Sequence, residues 1–195
     1  MEAAWGSREN GVVQPDERLR SGNLTLRRYR RGDAPALHVA ILESLEELRP
    51  WMPWAAAEPL SVSDREALIT TMFDRGWDEG TDFTYGMFAG GQVVGGWGLH
   101  RRIGPDGLEI GYWVRTTHTG RGVATAAAGL LARAALRMPG VDHVEIHHDK
   151  ANPASGRVAA KLGFVLRREV PDAVSAPGES GVSCEWRLQP VASRA

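Results

Sequence analysis

Eight consecutive residues, Arg115-Thr116-Thr117-His118-Thr119-Gly120-Arg121-Gly122, concentrate groups that can hold an anion. They join an apolar run ending at Val114, which reads as a strand, to an alanine-rich run from Val123, which reads as a helix. The first amides of a helix have no partner within it and its dipole is positive at that end. A diphosphate therefore fits there, and glycine lets it approach with no Cβ in the way. Arg121 can add a charged hydrogen bond. Two glycines before a helix also make an ordinary tight turn, and the pair alone says no more than that. A P-loop is excluded because no Gly-Lys-Ser/Thr is present. The dinucleotide fingerprint fails because Thr125 stands where its third glycine belongs. Asp149, closing the next strand, stands roughly where a ribose-binding acid lies, which keeps a dinucleotide reading barely open.

Other chemistry-bearing residues flank this loop. Glu109 lies in the apolar strand Gly107–Val114, where a carboxylate is either a general base or an ion-paired or solvent-facing group. Asn152-Pro153-Ala154-Ser155 opens a helix, with Asn152 as N-cap, Pro153 at the first helical position and a hydroxyl in the first turn. His100, ending its strand, is a base candidate behind Glu109, although most histidines in such places are structural. His143, His147, His148 and Asp149 invite a metal reading. A strand alternates its faces, however, so His147 and His148 point apart and no metal is expected. Arg27-Arg28-Tyr29-Arg30-Arg31 is a basic run, but 23 Lys plus Arg against 24 Asp plus Glu give a net charge of -1. A solvated edge accounts for it better than a nucleic-acid surface. The single cysteine, Cys184, has no partner for a disulfide, which favours a reducing compartment, the cytoplasm by default. Residues 1–22 contain no apolar run for a signal peptide or membrane span.

The elements that must position these groups follow from periodicity and turn residues. A strand is expected over Leu24–Tyr29, and a helix from Asp33 to about Leu48, where Arg49-Pro50 ends it. A second helix is capped by Ser63, shows an apolar side of Leu68, Ile69, Met72, Phe73 and Trp77, and stops at Gly80. Phe83–Ala89 and Gln92–Leu99 form a hairpin on Gly90-Gly91, followed by the strand Gly107–Val114. A helix Val123–Met138, a strand Val141–His148 and a helix from Pro153 to Leu162 come next. Two closing strands, Phe164–Val170 and Ser183–Gln189, flank a Pro, Gly and Ser-rich loop at 171–181. The result is one mixed α/β domain over 23–190 with seven strands in a largely antiparallel sheet. Residues 1–22 are read as a disordered tail and 191–195 as a second tail.

The order of these features, a strand with Glu109, the glycine loop, a helix, a strand, and an Asn152-Pro153-Ala154-Ser155 helix closing on Lys161-Leu162-Gly163-Phe164, resembles the GNAT acetyltransferase superfamily. The match runs over about Gly107 to Val170, and agreement in element order alone extends from Leu24 to Gln189. Four stretches resemble the ribosomal-protein N-terminal acetyltransferase (Rim-type) branch. They are Glu109-Ile110-Gly111-Tyr112-Trp113, Gly120-Arg121-Gly122-Val123-Ala124-Thr125, the Asn-x-x-Ser helix, and Leu48-Arg49-Pro50-Trp51-Met52-Pro53-Trp54. The resemblance implies a GNAT sheet of α/β (α+β) type with flanking helices and a splayed central strand pair, acetyl-CoA as co-substrate and no metal. It implies pyrophosphate binding at His118, Thr119, Gly120, Arg121, Gly122, Val123, Ala124 and Thr125, and a pantetheine arm pairing with the Val114 backbone and the Asn152 side chain. Glu109 becomes the base. Ser155 becomes the acid for the leaving thiolate, since this helix lacks the tyrosine many relatives carry. Trp51 and Trp54 form a lid over the amine, with Tyr85 and Trp97 beside it. The acceptor implied is a protein N-terminal α-amine. A small-molecule amine, or a module that binds acyl-CoA without turnover, is the alternative, and a homodimer is allowed. One departure stands out: Thr117 occupies the place, three residues before the first loop glycine, where the superfamily usually has Gln or Arg, so a longer side-chain contact is lost.

Overall fold

In the computed structural model, which describes residues 13–190, the hairpin on Gly90-Gly91 forms the middle of the sheet. Strands β3 (Asp82–Ala89) and β4 (Gln92–His100) pair antiparallel across it. On one side β3 takes β2 (Leu24–Arg28), and on the other β4 takes β5 (Gly107–Val114), both antiparallel. Beyond β5 come β6 (His143–Asp149), then β8 (Val182–Leu188), with β7 (Val165–Pro171) at the edge. An additional strand, β1 (Arg18–Ser21), pairs with β2 through Leu19↔Leu26, so the sheet has eight strands and not the expected seven. It lies in the stretch expected as a disordered tail. Of its four residues only Leu19 is buried, and a single apolar residue gives no period to read. Residues 1–12 and 191–195, the rest of the expected tails, lie outside the described residues.

Only β5 and β6 run parallel, and their ladder is three pairs long, from Gly107↔His143 to Glu109↔Glu145. From Ile110 and Ile146 onward the strands diverge, which is the splayed central pair. On one face Leu26, Met87, Leu99, Leu108, Ile110, Val144 and Ile146 pack in one cluster with Ala127, Ala128, Leu131, Ala132 and Ala135 of α5 (Val123–Ala135). On the other, Phe88 and Val93 pack with Leu37, Ala40 and Ile41 of α1 (Ala34–Leu42) and Leu48 of α2 (Leu45–Leu48).

The expected helix Asp33–Leu48 is thus two helices. The break falls at buried Ser44, whose Oγ donates back to the Ala40 carbonyl at 2.8 Å. The next helix is capped by Ser61 and not Ser63. Ser61 Oγ accepts from the Asp64 amide, and the Asp64 carboxylate accepts from the Ser61 amide, both at 3.1 Å. Helix α3 (Val62–Leu68) passes through a π turn at Ile69–Phe73 into α4 (Asp74–Glu79) and stops at Gly80. Beneath this segment Arg65 and Glu58 form an ion pair at 2.5 Å, with side chains 1% and 2% exposed. The Glu58 carboxylate also accepts from the Leu60 amide at 2.8 Å.

Candidate active site

The glycine loop delivers its amides as the sequence suggested. Gly122 sits at φ +75° as N-cap of α5, and the helix's own bonding starts with the Ala126 amide on the Gly122 carbonyl at 2.9 Å. The amides of Val123, Ala124 and Thr125 precede that bond, so the helix supplies them no acceptor. The loop's entry is clamped from α1 and α2. Arg115 holds the Glu43 carboxylate at 2.6 and 2.8 Å. The Thr116 amide donates to Ser44 Oγ at 3.0 Å, and Thr116 Oγ1 donates to Glu47 at 3.0 Å. Nothing in the sequence marked Glu43, Ser44 and Glu47 for this task, because they act across more than sixty positions of chain. Thr117 turns to its neighbour, with Oγ1 3.0 Å from His118 Nδ1. Burial, with Arg121 and Arg115 nearby, lowers the His118 pKa, so the ring is neutral near pH 7. Arg121 is exposed at the loop tip.

From this loop the cleft runs between β5 and β6. Val114 pairs with Gly95 of β4 on one side, and its other edge faces the gap left by the splay. Across the gap Asn152 caps α6 (Pro153–Lys161), its Oδ1 accepting from the Ser155 amide at 3.4 Å. Ser155 Oγ lies 2.9 Å from the Tyr112 hydroxyl, so β5 and α6 are joined by a side-chain bond. The Tyr112 ring stacks on Trp97 at 4.5 Å and 10°. Burial raises its pKa, an effect only partly offset by the Ser155 bond, so the phenol stays protonated. The contact of Tyr112 with Ser155 was not legible in the sequence, although Tyr112 lies inside the stretch that carries the resemblance.

Glu109 marks the vertex of the splay, but it is not a free carboxylate. Arg102 grips both oxygens, with Nε 2.7 Å from Oε2 and Nη2 2.5 Å from Oε1, and His147 Nδ1 lies 3.7 Å away. Burial alone would raise its pKa, yet Arg102 and His147 outweigh burial and lower it. Glu109 is thus ion-paired in this structure, and a carboxylate held in its charged form is the weaker proton acceptor for it.

The expected substrate contacts divide. Trp54 is 39% exposed and lies 6.3 Å from Trp113 of β5, on the sheet face opposite Tyr112. Trp51 is half-buried in the same segment, which the Gly178 amide bonds through the Pro50 carbonyl at 2.9 Å. Tyr85 and Trp97 are corrections. Tyr85 is fully buried against Trp77, with its hydroxyl on the Asp16 carbonyl, and Trp97 is sealed beneath Tyr112. Both are strand aromatics whose alternation places them on the α5 face, and sequence alone does not say which face is covered.

The family model described as Acetyltransferase (GNAT) domain matches residues 23–165. The chain belongs to that family. The GNAT domain is 25% identical over 157 residues to YdaF of Bacillus subtilis (strain 168), provisionally named a ribosomal N-acetyltransferase, covering 80% of this chain and 85% of that one. It is also similar to solved structures. One is RimL, a ribosomal L7/L12 alpha-N-protein acetyltransferase in complex with coenzyme A, with TM-score 0.77, 22% identity, and 87% and 95% of the two chains covered. Another is Mycobacterium smegmatis RimJ with CoA-disulfide, with TM-score 0.77, 21% identity, and 86% and 82% covered. At such identities these structures speak for the fold.

Two further histidines of the GNAT domain have structural partners. His148 binds the Asp149 carbonyl and accepts from the Trp186 indole at 3.0 Å, while His147, on the other face, binds Glu145 at 2.5 Å. Glu145, His147 and Glu185 gather three donor atoms, but Arg187 and Arg168 already occupy the two carboxylates, each at 2.6 Å. The basic run is likewise engaged: Arg27 pairs with Asp33, Arg28 with Asp74 and Arg31 with Glu66. Among the described residues no helix is long and apolar enough to cross a membrane.

Asp149 is a loop anchor. Desolvation alone would raise its pKa, but it accepts from the Ala151, Gly181 and Val182 amides and the Ser180 hydroxyl, and together these outweigh desolvation and bring the pKa to about 2. Its folded pKa lies below the usual carboxylate value. Its contribution is therefore complete above about pH 4 and lost as pH falls through about 2. Thermal melts between pH 5 and 2 should show Asp149→Asn less acid-sensitive than wild type and less stable at neutral pH. Parallel curves would remove this role.

Proposed function

We propose that the domain transfers the acetyl group of acetyl-CoA to an N-terminal α-amine of a protein. One observation carries this reading: a strand gap that opens at Glu109 ends on one side in the amides of Gly120–Thr125 and is bridged on the other by Tyr112 and Ser155. The amides with Arg121 would hold the diphosphate, while the Val114 backbone and the Asn152 amide group would hold the pantetheine arm. With the Tyr112 hydroxyl as the donor to Ser155 Oγ, the Ser155 proton would be free for the departing thiolate. The protein acceptor is supported by the names of the relatives. The Trp51–Trp54 segment, tied to loop 171–181 through Pro50 and Gly178, stands over the acceptor side.

A cytoplasmic site of action rests on the single cysteine. A homodimer, the form the resemblance allows, would cover Val165 and Leu166, exposed on edge strand β7. Sedimentation at micromolar concentration tests that expectation.

The reading is tested by thioester loss and mass spectrometry with ribosomal-protein N-terminal peptides, amino acids, polyamines and aminoglycosides, using acetyl- and succinyl-CoA. Acetylation of the peptide α-amine is expected. Turnover confined to small amines moves the acceptor class, and binding of acetyl-CoA without turnover of any amine leaves only a binding module. Ser155→Ala should lower kcat about 100-fold at unchanged acetyl-CoA affinity, since its backbone amide still meets Asn152. Unchanged kcat would remove Ser155 from the chemistry.

A further inference from the structure

We propose that His100, held by Asp82, is the base that takes the proton from the acceptor amine; the assignment rests on the acetyl-transfer reading above. One row of register partners crosses the sheet: Asp82 of β3, His100 of β4, Glu109 of β5 and Glu145 of β6. Within it Glu109 is committed to Arg102, and His147 lies between the Glu145 and Glu109 carboxylates. His100 differs. Its Nδ1 bonds the Asp82 carboxylate, and among the described residues no protein group hydrogen-bonds its Nε2.

The position of Nε2 is set by two missing side chains. A Cβ on Gly98 would fall 2.5 Å from it and one on Gly111 2.9 Å, so the ring lies flat against β4 and β5 only because both residues are glycine. Gly111 belongs to the stretch of β5 that has left β6, so Nε2 stands over the lip of the cleft. It does so on the face of Trp113 and Trp54, because Gly111 and Tyr112 point to opposite sides of the strand. The base therefore meets the gap from one face and the Tyr112–Ser155 pair from the other. That is the arrangement acyl transfer through a slot needs, with the amine arriving on one side and sulfur leaving on the other.

The chemistry closes. The Asp82 carboxylate accepts the Nδ1 proton, which leaves the lone pair on Nε2. The neutral amine attacks the thioester carbonyl carbon and a C–N bond forms. His100 Nε2 takes a proton from that nitrogen, the C–S bond breaks, and the sulfur keeps the electron pair. The thiolate takes the Ser155 hydroxyl proton. Ser155 regains one proton from solvent and His100 returns one to it. The charged groups facing the imidazole are Asp82 from β3, Glu109 from β5 and Arg102 after β4, with His147 of β6 beyond Glu109. The His100 bond, aided by Arg102 and only partly opposed by burial, lowers the Asp82 pKa, so that carboxylate is ionised throughout the working range.

The test is kcat for wild type, His100→Gln, Asp82→Asn and the double variant with an N-terminal peptide, alongside acetyl-CoA affinity and circular dichroism. His100→Gln should lose about 100-fold of kcat at wild-type acetyl-CoA affinity. Asp82→Asn should lose about 10-fold, because the partner that orients the ring through Nδ1 is altered. In the double variant the two losses should not multiply, since Asp82 acts through His100. A merely structural aspartate would multiply them. Wild-type kcat in His100→Gln, or multiplied losses in the double variant, overturns the assignment. A wild type that binds acetyl-CoA and acetylates no amine overturns the acetyl-transfer reading itself, and the base with it.

Discussion

Gly122→Glu is expected to weaken acetyl-CoA binding on the order of 1,000-fold in calorimetry while leaving a folded protein. Gly122 has φ +75° and no atom within 4 Å of where its Cβ would be, so the protein itself has room for the side chain. A residue other than glycine in this conformation costs about 1 kcal/mol, which the domain tolerates. The new carboxylate, however, sits at the helix start, where it would compete with the diphosphate for the same amides. Two like charges about 4 Å apart repel by roughly 4 kcal/mol near a protein surface, close to three decades of affinity. Gly122→Ala carries the backbone strain without the charge and should bind acetyl-CoA within about tenfold of wild type. Wild-type affinity in Gly122→Glu would mean that the diphosphate lies elsewhere.

Arg65→Met should destabilise the fold by about 3–5 kcal/mol in urea unfolding. The Glu58–Arg65 pair is almost fully buried, and removing the guanidinium leaves the Glu58 carboxyl, among the described residues, with only the Leu60 amide as a hydrogen-bond donor. The double variant Glu58→Leu/Arg65→Met should recover most of the loss, because no unpaired charge remains. Glu58 follows directly on the Pro53–Ala57 turn that carries Trp54. Whatever activity Arg65→Met retains should therefore show a raised KM for the acceptor and little change for acetyl-CoA. A loss under 1 kcal/mol would show that Glu58 finds water or another partner.

What the sequence revealed follows a physical line. The hairpin at Gly90-Gly91, the strand Gly107–Val114 and the starts of α5 and α6 were readable because each is signalled by adjacent residues: a Gly pair, an alternating run, a glycine before alanines, an Asn-Pro. Helix limits were less legible. Ser44 bends its helix through a bond to the preceding turn, and Ser61 outcompetes Ser63 as a cap because Asp64 stands three residues after it. The acid end of the site was accessible through Ser155. The Glu109 ion pair was not legible, because Arg102, seven positions earlier and beyond a turn, gives no sign in the sequence that it folds back onto that carboxylate. The surroundings of His100 were hidden for the same reason. They consist of Asp82 and two glycines from different strands, which only the register brings together.

The three-rung ladder between β5 and β6 has a consequence for the energetics of the whole domain. Two sheet segments, β1–β5 and β6–β8, share few main-chain bonds, and the open edges beyond Glu109 and Glu145 keep donors and acceptors for a strand that the described residues do not contain. A ligand lying in that gap would supply the missing seam and could bond to both halves at once. Affinity for it is then also cohesion of the protein. At a ligand concentration a hundred times Kd, mass action alone adds about 2.7 kcal/mol to unfolding. On the acetyl-transfer reading proposed above, the co-substrate would in this sense be the last strand of the fold, replaced at every turnover.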